Sequence, residues 1–310
     1  MRASNSCVVS LDIGGTSVKT GVVRDDGSIV ESSSSTHPVD SLGSAERILA
    51  TFAAGAKSSL DFAHTHGLAV AGIGVSICGP FDYEKGISKI RGLDKYEAIY
   101  DVNVKEHLQD ALRVPKSLPI VFDVDSWAFC RGEVWSGAGR RYDRVIVLTL
   151  GTWVGSAFAV KKKIVAEGAG VPWYGWISGQ KHREGILNDY VSRTFMIRRY
   201  RELTGEEIDV KEMAERATAG ERAARDVFTT VGRELGGFLK EHNVMDFRAE
   251  CLIFGGQISK SFDLFIDPIR ESLKGIESLK AILPAADIEW SAMKGVARYV
   301  FEFIGRDMSQ

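Results

Sequence analysis

Val8, Val9, Leu11 and Ile13 form an apolar run that stops at Gly14-Gly15-Thr16 and resumes as Val18, Gly21, Val22 and Val23. That pattern predicts two strands joined by a tight hairpin. GSIVESSSSTH continues as a third strand whose serines make a solvated face. SLGSAERILATFAAGAKSSLDFAHTH has helical spacing, with Ser44 as its cap and Ile48, Phe52 and Leu60 facing inward. AVAGIGVSICGPFD reads as a buried strand ending in a Gly79-Pro80 turn, VNVKEHLQDALR as a helix, PIVFDVDSW as a strand and AFCRGEVWSGAG as the start of a further helix.

The second half repeats the order. DRVIVLTLGTWVGSAFAV again runs an apolar strand into a Gly151-Thr152 turn and out into another strand, and the Lys161 to Lys163 run suits a solvated tip. An irregular segment, EGAGVPWYGWISGQKHREG, precedes helices at about 186–203 and 220–242. CLIFGGQIS then gives a strand, the Gly255-Gly256 pair with Gln257, and a helix reading SKSFDLFIDPIRESL. ADIEWSA reads as the last strand and MKGVARYVFEFI as the closing helix. A β-β-β-α-β-α-β-α order given twice predicts an α/β protein with a mixed sheet in each half. The expected domains are an N-terminal one at 1–136, completed by the helix at about 292–310, and a C-terminal one at 137–291, with a ligand cleft between them.

Composition narrows the function classes. With 310 residues the chain is long enough for two cores, and 45% hydrophobic and 26% charged residues are ordinary for a globular protein. Lys+Arg 39 against Asp+Glu 41 leaves a net charge of -2, so nothing electrostatic points to nucleic acid as a partner. The start lacks the apolar run of a signal peptide, and no segment reaches membrane-spanning length. Cys7, Cys78, Cys130 and Cys251 are scattered, three of them in or beside apolar strands. They have no zinc-ligand spacing, so the expectation is a soluble cytoplasmic protein without membrane contact.

Two acids carry the candidate chemistry. Asp12 precedes the first glycine turn, where successive N–H groups and the Thr16 hydroxyl can hold phosphate oxygens while Asp12 holds the accompanying metal. A plain β-turn is the alternative. The second Gly-Thr hairpin suggests a duplicated phosphate-gripping unit. A helix start after Gly255-Gly256 is a natural anion or nucleotide site. Asp125 stands where a strand passes into a helix and can take a proton from an attacking hydroxyl, or simply cap the helix. Asp123, two residues earlier on the strand, is expected on the same face, where each acid would raise the other's pKa.

DIGGT, GPFD, DVDSWAFCRGE, the LGT hairpin, IFGGQIS and the terminal KGVARY resemble, in order and spacing, the ROK family of sugar kinases within the actin-like ATPase (ribonuclease H-like) fold. The resemblance covers nearly the whole chain. It implies that Asp12, Gly14, Gly15 and Thr16 grip ATP phosphate and Mg²⁺, with Asp12 reaching the metal through water. It implies further that Asp125 is the catalytic base, that Gly151 and Thr152 form the second phosphate hairpin, that Gly255, Gly256 and Gln257 form the adenosine-side turn, and that Gly79 and Pro80 match a turn on the substrate side. The family's histidine and cysteine-rich metal cluster is absent, so no structural zinc is expected. Its sugar-holding glutamate and histidine fall near Trp173 to Trp176, its later glutamate falls at Asn188, and its Asn-Leu sugar contact falls at Gly92 and Leu93. The second glycine of its GTG triplet is replaced by Trp153. Trp173, Tyr174 and Trp176 read as a stacking wall for a substrate ring or as loop packing in place of zinc. His182 is a substrate contact or a loop residue.

Three functions compete: a kinase of a sugar or sugar derivative using ATP and Mg²⁺, a nucleotide- or sugar-binding regulator of the same fold, and an ATPase that drives movement. Family repressors carry an added DNA-binding module before the kinase-like part, and the short stretch before the first strand argues against DNA binding but not against ligand sensing. The implied partner is a small sugar-like acceptor, and a homodimer stays possible.

Overall fold

The computed structural model describes residues 5–307. The chain divides into two compact units, Met1–Ser136 with Glu289–Gln310, and Gly137–Ile288.

In chain order the first unit has β1 (Ser6–Ile13), β2 (Ser17–Arg24), β3 (Ile29–Pro38), α1 (Ala45–Thr65), β4 (Ala69–Ile77), the short β5 (Phe81–Asp82) and β6 (Ile87–Ser88), α2 (Val104–Leu112), β7 (Ile120–Val124) and α3 (Asp125–Trp135). The second has β8 (Arg144–Thr149), β9 (Gly155–Val160), β10 (Lys163–Val165), the short β11 (Lys181–His182) and β12 (Gly185–Ile186), α4 (Asn188–Val191), α5 (Arg193–Thr204), α6 (Val210–Thr218), α7 (Arg222–Leu239), α8 (Met245–Phe247), β13 (Cys251–Gly255), α9 (Phe262–Ser272) and β14 (Ala281–Pro284). Helix α10 (Ser291–Asp307) returns to the first unit.

Each unit is built on a five-stranded sheet of the same topology, β3-β2-β1-β4-β7 and β10-β9-β8-β13-β14. In both, an antiparallel meander is extended by two parallel strands. Alternation along β1 sends Val9, Leu11 and Ile13 to the face covered by α1 and α2, and Val8 to the face covered by α10. Ser44 caps α1 by accepting from the Arg47 N–H, and Ile48, Phe52 and Leu60 are buried as their spacing predicted.

Helices α3 and α10 cross with their backbones in contact. A Cβ on Gly295 would lie 1.6 Å from the Ala128 carbonyl oxygen, and one on Gly132 would lie 2.0 Å from that of Ser291. The crossing is tied by a hydrogen bond of 2.6 Å from the Ser291 hydroxyl to buried Glu133, and by Arg131, which pairs with Asp123 on β7 at 2.8 Å and with Glu302 on α10 at 3.3 Å. The start of α3, where Asp125 stands, is thereby fixed to the sheet.

Several sequence expectations need correction. ADIEWSA is not a strand: the last strand is β14, which pairs parallel to β13, and Trp290 packs beside the closing helix. Its alternating residues serve a turn entering α10 rather than a sheet. The helix expected over 186–203 breaks at Ser192, whose extended backbone lets its hydroxyl cap α5 through the Phe195 N–H. Helix α6 was not anticipated. The segment after Gly255-Gly256 begins as a 3-10 turn, Gln257–Ser261, and α9 starts only at Phe262. No helix among the described residues is long and apolar enough to cross a membrane.

Candidate active site

The parallel strands β1, β4 and β7 lie side by side in the first unit, and their carboxyl ends carry Asp12, Cys78 and Asp125. Register places Asp12 opposite Ser76 on β4, whose hydroxyl donates to its carboxylate at 2.9 Å. On its other side Asp12 faces Lys19 of β2, which is ion-paired with Glu289. Beyond Asp12 the hairpin turn closes through the Gly14 N–H on the Ser17 carbonyl at 2.9 Å. Gly14 and Thr16 are exposed, as a turn that meets a ligand must be.

Desolvation dominates the acids. It raises the Asp12 carboxyl from 3.8 to about 6, with the Ser76 hydrogen bond opposing and the Asp125 charge adding to the rise. Asp125 keeps solvent-accessible surface, yet the protein crowded around it also raises its pKa, against the Ser126 N–H and Lys95, which lower it. Asp125 is the first residue of α3 rather than its cap, which is Val124, and its carboxylate accepts the Ser126 N–H at 2.7 Å.

The expected coupling of Asp125 to Asp123 is overturned. The backbone turns helical at Asp125, so strand alternation ends at Val124. Asp123 is instead buried against Arg131, and burial raises it to about 6 with Arg131 as the principal opposing charge. The acid that senses Asp125 is Asp12.

Sequence reasoning missed the loop that overhangs this turn. Tyr96 is fully buried, its N–H donates to the Ser41 carbonyl at 2.7 Å, its ring meets Phe52 edge-on, and its hydroxyl donates to the Gly14 carbonyl. Lys95, its neighbour, lies over Gly15, with its δ-carbon 3.9 Å from where a Gly15 Cβ would be. The signal was available as a lysine and an aromatic beside Gly92 and Leu93, where the family's asparagine is missing. Gly79-Pro80, a cis peptide, follows β4 at the same end of the sheet, beside the Tyr83 hydroxyl.

The second unit brings its two glycine turns together. The Leu150 N–H donates to the Gly255 carbonyl at 2.8 Å, and the Ile258 N–H to the Leu150 carbonyl at 3.3 Å. Gly256 has φ +80, and a Cβ there would lie 2.5 Å from the Leu150 oxygen, so the approach needs glycine. Thr152 and Trp153 are exposed between them and the Gly151 carbonyl accepts the Arg193 N–H at 2.9 Å. Gln257 opens the 3-10 turn.

The remaining candidates in this unit differ in kind. Asn188 is buried and its side-chain oxygen accepts the Val154 N–H at 3.1 Å, bracing the Gly151-Thr152 turn from beneath. His182 bonds Glu234 at 2.8 Å, shares that carboxylate with Arg183, and packs edge-on against Tyr190 and Phe238. Trp173 and Trp176 are 75% and 49% exposed, with the Trp173 ring against Tyr174 and the Trp176 ring against Gly179. The loop is pinned by Ser156, whose hydroxyl donates to the Gly175 carbonyl and accepts the Ile177 N–H.

The donor set fits Mg²⁺ better than a caged metal. Among the described residues no three of His, Cys, Asp and Glu gather to hold an ion. Mg²⁺ keeps waters and phosphate oxygens and needs only one or two carboxylates, and Asp12 is a hard oxygen donor beside a glycine turn.

Comparison with known proteins completes the picture. A family model described as ROK family matches residues 8–291. A glucokinase of Thermotoga maritima is 26% identical over 330 residues, taking in 96% of this chain and 98% of that protein. Among solved structures, a ROK hexokinase from Thermus thermophilus superposes with TM-score 0.78 at 20% identity, covering 97% of this chain and 99% of that one. A ROK family glucokinase from Streptomyces griseus, in complex with glucose and AMPPNP, superposes with TM-score 0.76 at 24% identity over 96% and 99%. These likenesses show the fold, the α/β actin-like ATPase architecture with mixed sheets.

Proposed function

The chain belongs to the ROK family, and from that premise we propose that it is an ATP-dependent carbohydrate kinase, transferring a phosphoryl group in line to a hydroxyl of a sugar or sugar derivative. The observation that carries this reading is the Asp12–Asp125 arrangement. Two acids of raised pKa stand at the carboxyl ends of strands in one sheet, beside an exposed glycine turn, and perturbed acids at strand ends are where α/β proteins place chemistry.

In this reading Asp125 accepts the proton of the acceptor hydroxyl as it attacks. Its single backbone hydrogen bond, from Ser126, fixes the carboxylate's direction, and general-base assistance of this kind contributes about 10²- to 10⁴-fold in rate. Asp12, oriented by Ser76, and the Gly14-Gly15-Thr16 turn hold Mg²⁺ and phosphate oxygens. The metal, when bound, neutralises phosphate charge. Gly151, Thr152, Gly255, Gly256 and Gln257 serve the nucleotide. Gly79, Pro80, Trp173 and Trp176 serve the acceptor. Asn188 braces the second turn through the oxygen that accepts the Val154 N–H, and Glu234 holds His182.

The test is nucleotide consumption by the purified protein across a panel of sugars and amino sugars. Consumption that begins only on addition of an acceptor supports the kinase. Binding of nucleotide or sugar with no turnover for any acceptor supports a regulator of the same fold, and steady turnover without acceptor supports a motor-type ATPase.

A further inference from the structure

Lys95 is held by backbone geometry that the sequence around it does not favour. Asp94 and Tyr96, on either side, both have left-handed backbones, with φ 52 and 58. Neither is glycine, and such strain persists only where the surroundings enforce it. The enforcement is visible. Glu97 gathers the Gly92 and Leu93 N–H groups at 2.6 and 3.1 Å, and Tyr96 is anchored at its N–H, its ring and its hydroxyl, the last on the glycine turn itself. The result is a lysine whose aliphatic stem crosses Gly15 and whose positive charge acts on both Cys78 and Asp125 at the carboxyl ends of β4 and β7.

The span from Gly15 to Asp125 is the path a phosphoryl group must travel if the kinase reading holds, and the present inference rests on that reading. The region already has Asp12, Asp125 and Glu289, and Lys19 is paired with Glu289. A γ-phosphate arriving among these carboxylates meets repulsion, and a lysine placed along the path offsets it, most strongly as charge shifts to the transferring oxygens. We propose that Lys95 is a catalytic residue that contacts the γ-phosphoryl group of the nucleotide, a role that neither the sequence motifs nor the comparisons assign to it.

The experiment compares Mg²⁺-dependent binding of AMPPNP and of ADP, by calorimetry, to wild type, Lys95→Met and Lys95→Arg. Methionine keeps the stem over Gly15 and removes the charge, and thermal midpoints check that both variants are folded. The expected result is a loss of tenfold or more in AMPPNP affinity for Lys95→Met with less than a twofold change for ADP, and recovery of most of the loss in Lys95→Arg. Where an acceptor is identified, kcat falls for Lys95→Met while the acceptor KM stays within a few fold. Equal effects on the two nucleotides, or none, would overturn the Lys95 contact and leave the kinase reading standing. A rise confined to the acceptor KM would do the same by assigning the ammonium to the acceptor. Wild type that binds neither nucleotide would overturn the kinase reading itself, and the Lys95 contact with it.

Discussion

Replacing Asp12 with asparagine should stabilise the unliganded protein at neutral pH while disabling it. The carboxyl is raised from 3.8 to about 6, chiefly by desolvation. At low pH it is protonated in both folded and unfolded chains and imposes no penalty. As pH rises the unfolded chain ionises first, so stability is lost progressively until the folded carboxyl has also ionised. That shift corresponds to about 3 kcal/mol above pH 6, and solvent access to the half-buried side chain lowers the expectation to about 1–3 kcal/mol. Asparagine keeps the shape and can still accept the Ser76 hydroxyl hydrogen. For a unit of this size each kcal/mol moves the thermal midpoint by about 2–4 °C. Without nucleotide or Mg²⁺, Asp12→Asn should therefore melt several degrees above wild type at pH 7.5 and only about 1–2 °C above it near pH 4. An Asp12→Asn midpoint equal to or below wild type at pH 7.5, or a gain of the same size at both pH values, would refute the assignment of a desolvated carboxylate.

Three further outcomes are expected. Gly295→Ala should destabilise by about 3 kcal/mol or more, because its Cβ has no room against Ala128, whereas Gly305→Ala on the same helix, with nothing within 4 Å, should gain about 0.5–1 kcal/mol; denaturant midpoints read both. Trp173→Ala and Trp176→Ala should change the ranking of acceptors more than ADP affinity, and plain glucose should be a poor acceptor, losing charge-assisted bonds of about 1.5–3 kcal/mol each where acids are missing; efficient glucose turnover insensitive to both substitutions would contradict this. Metal analysis should find no stoichiometric zinc, and strong chelator should leave the circular dichroism unchanged.

Where one residue type dictates local geometry, the sequence was informative. The hairpins at Gly14-Gly15 and Gly151-Thr152, the Ser44 cap and the apolar faces of α1 and β1 all follow from spacing. What spacing could not reveal depends on contacts between distant segments. Asp123 and Asp125 look equivalent on paper, and only the change from strand to helix at Asp125 sends one to Arg131 and the other toward Asp12. ADIEWSA alternates like a strand, but pairing with β13 goes to the run ending at Pro284. Lys95 sits in a segment with neither helical nor strand period, and its position is set by Tyr96 reaching Gly14, 82 residues away in sequence. Asn188 stands where the family has a substrate-holding glutamate and His182 is a substrate contact or a loop residue on sequence grounds, and their partners, Val154 and Glu234, lie on other elements of the same unit.

The central claim is phosphoryl transfer to a carbohydrate hydroxyl with Asp125 as the base, and it is tested most directly by following label from γ-³²P-ATP into an acceptor found in the sugar panel, for wild type and Asp125→Asn. The account predicts transfer by wild type that declines below the raised pKa of Asp125, and a loss of about 10²-fold or more in the variant with ADP binding intact. Label transfer at the wild-type rate by Asp125→Asn, or release of label only as inorganic phosphate by the wild type, would contradict it.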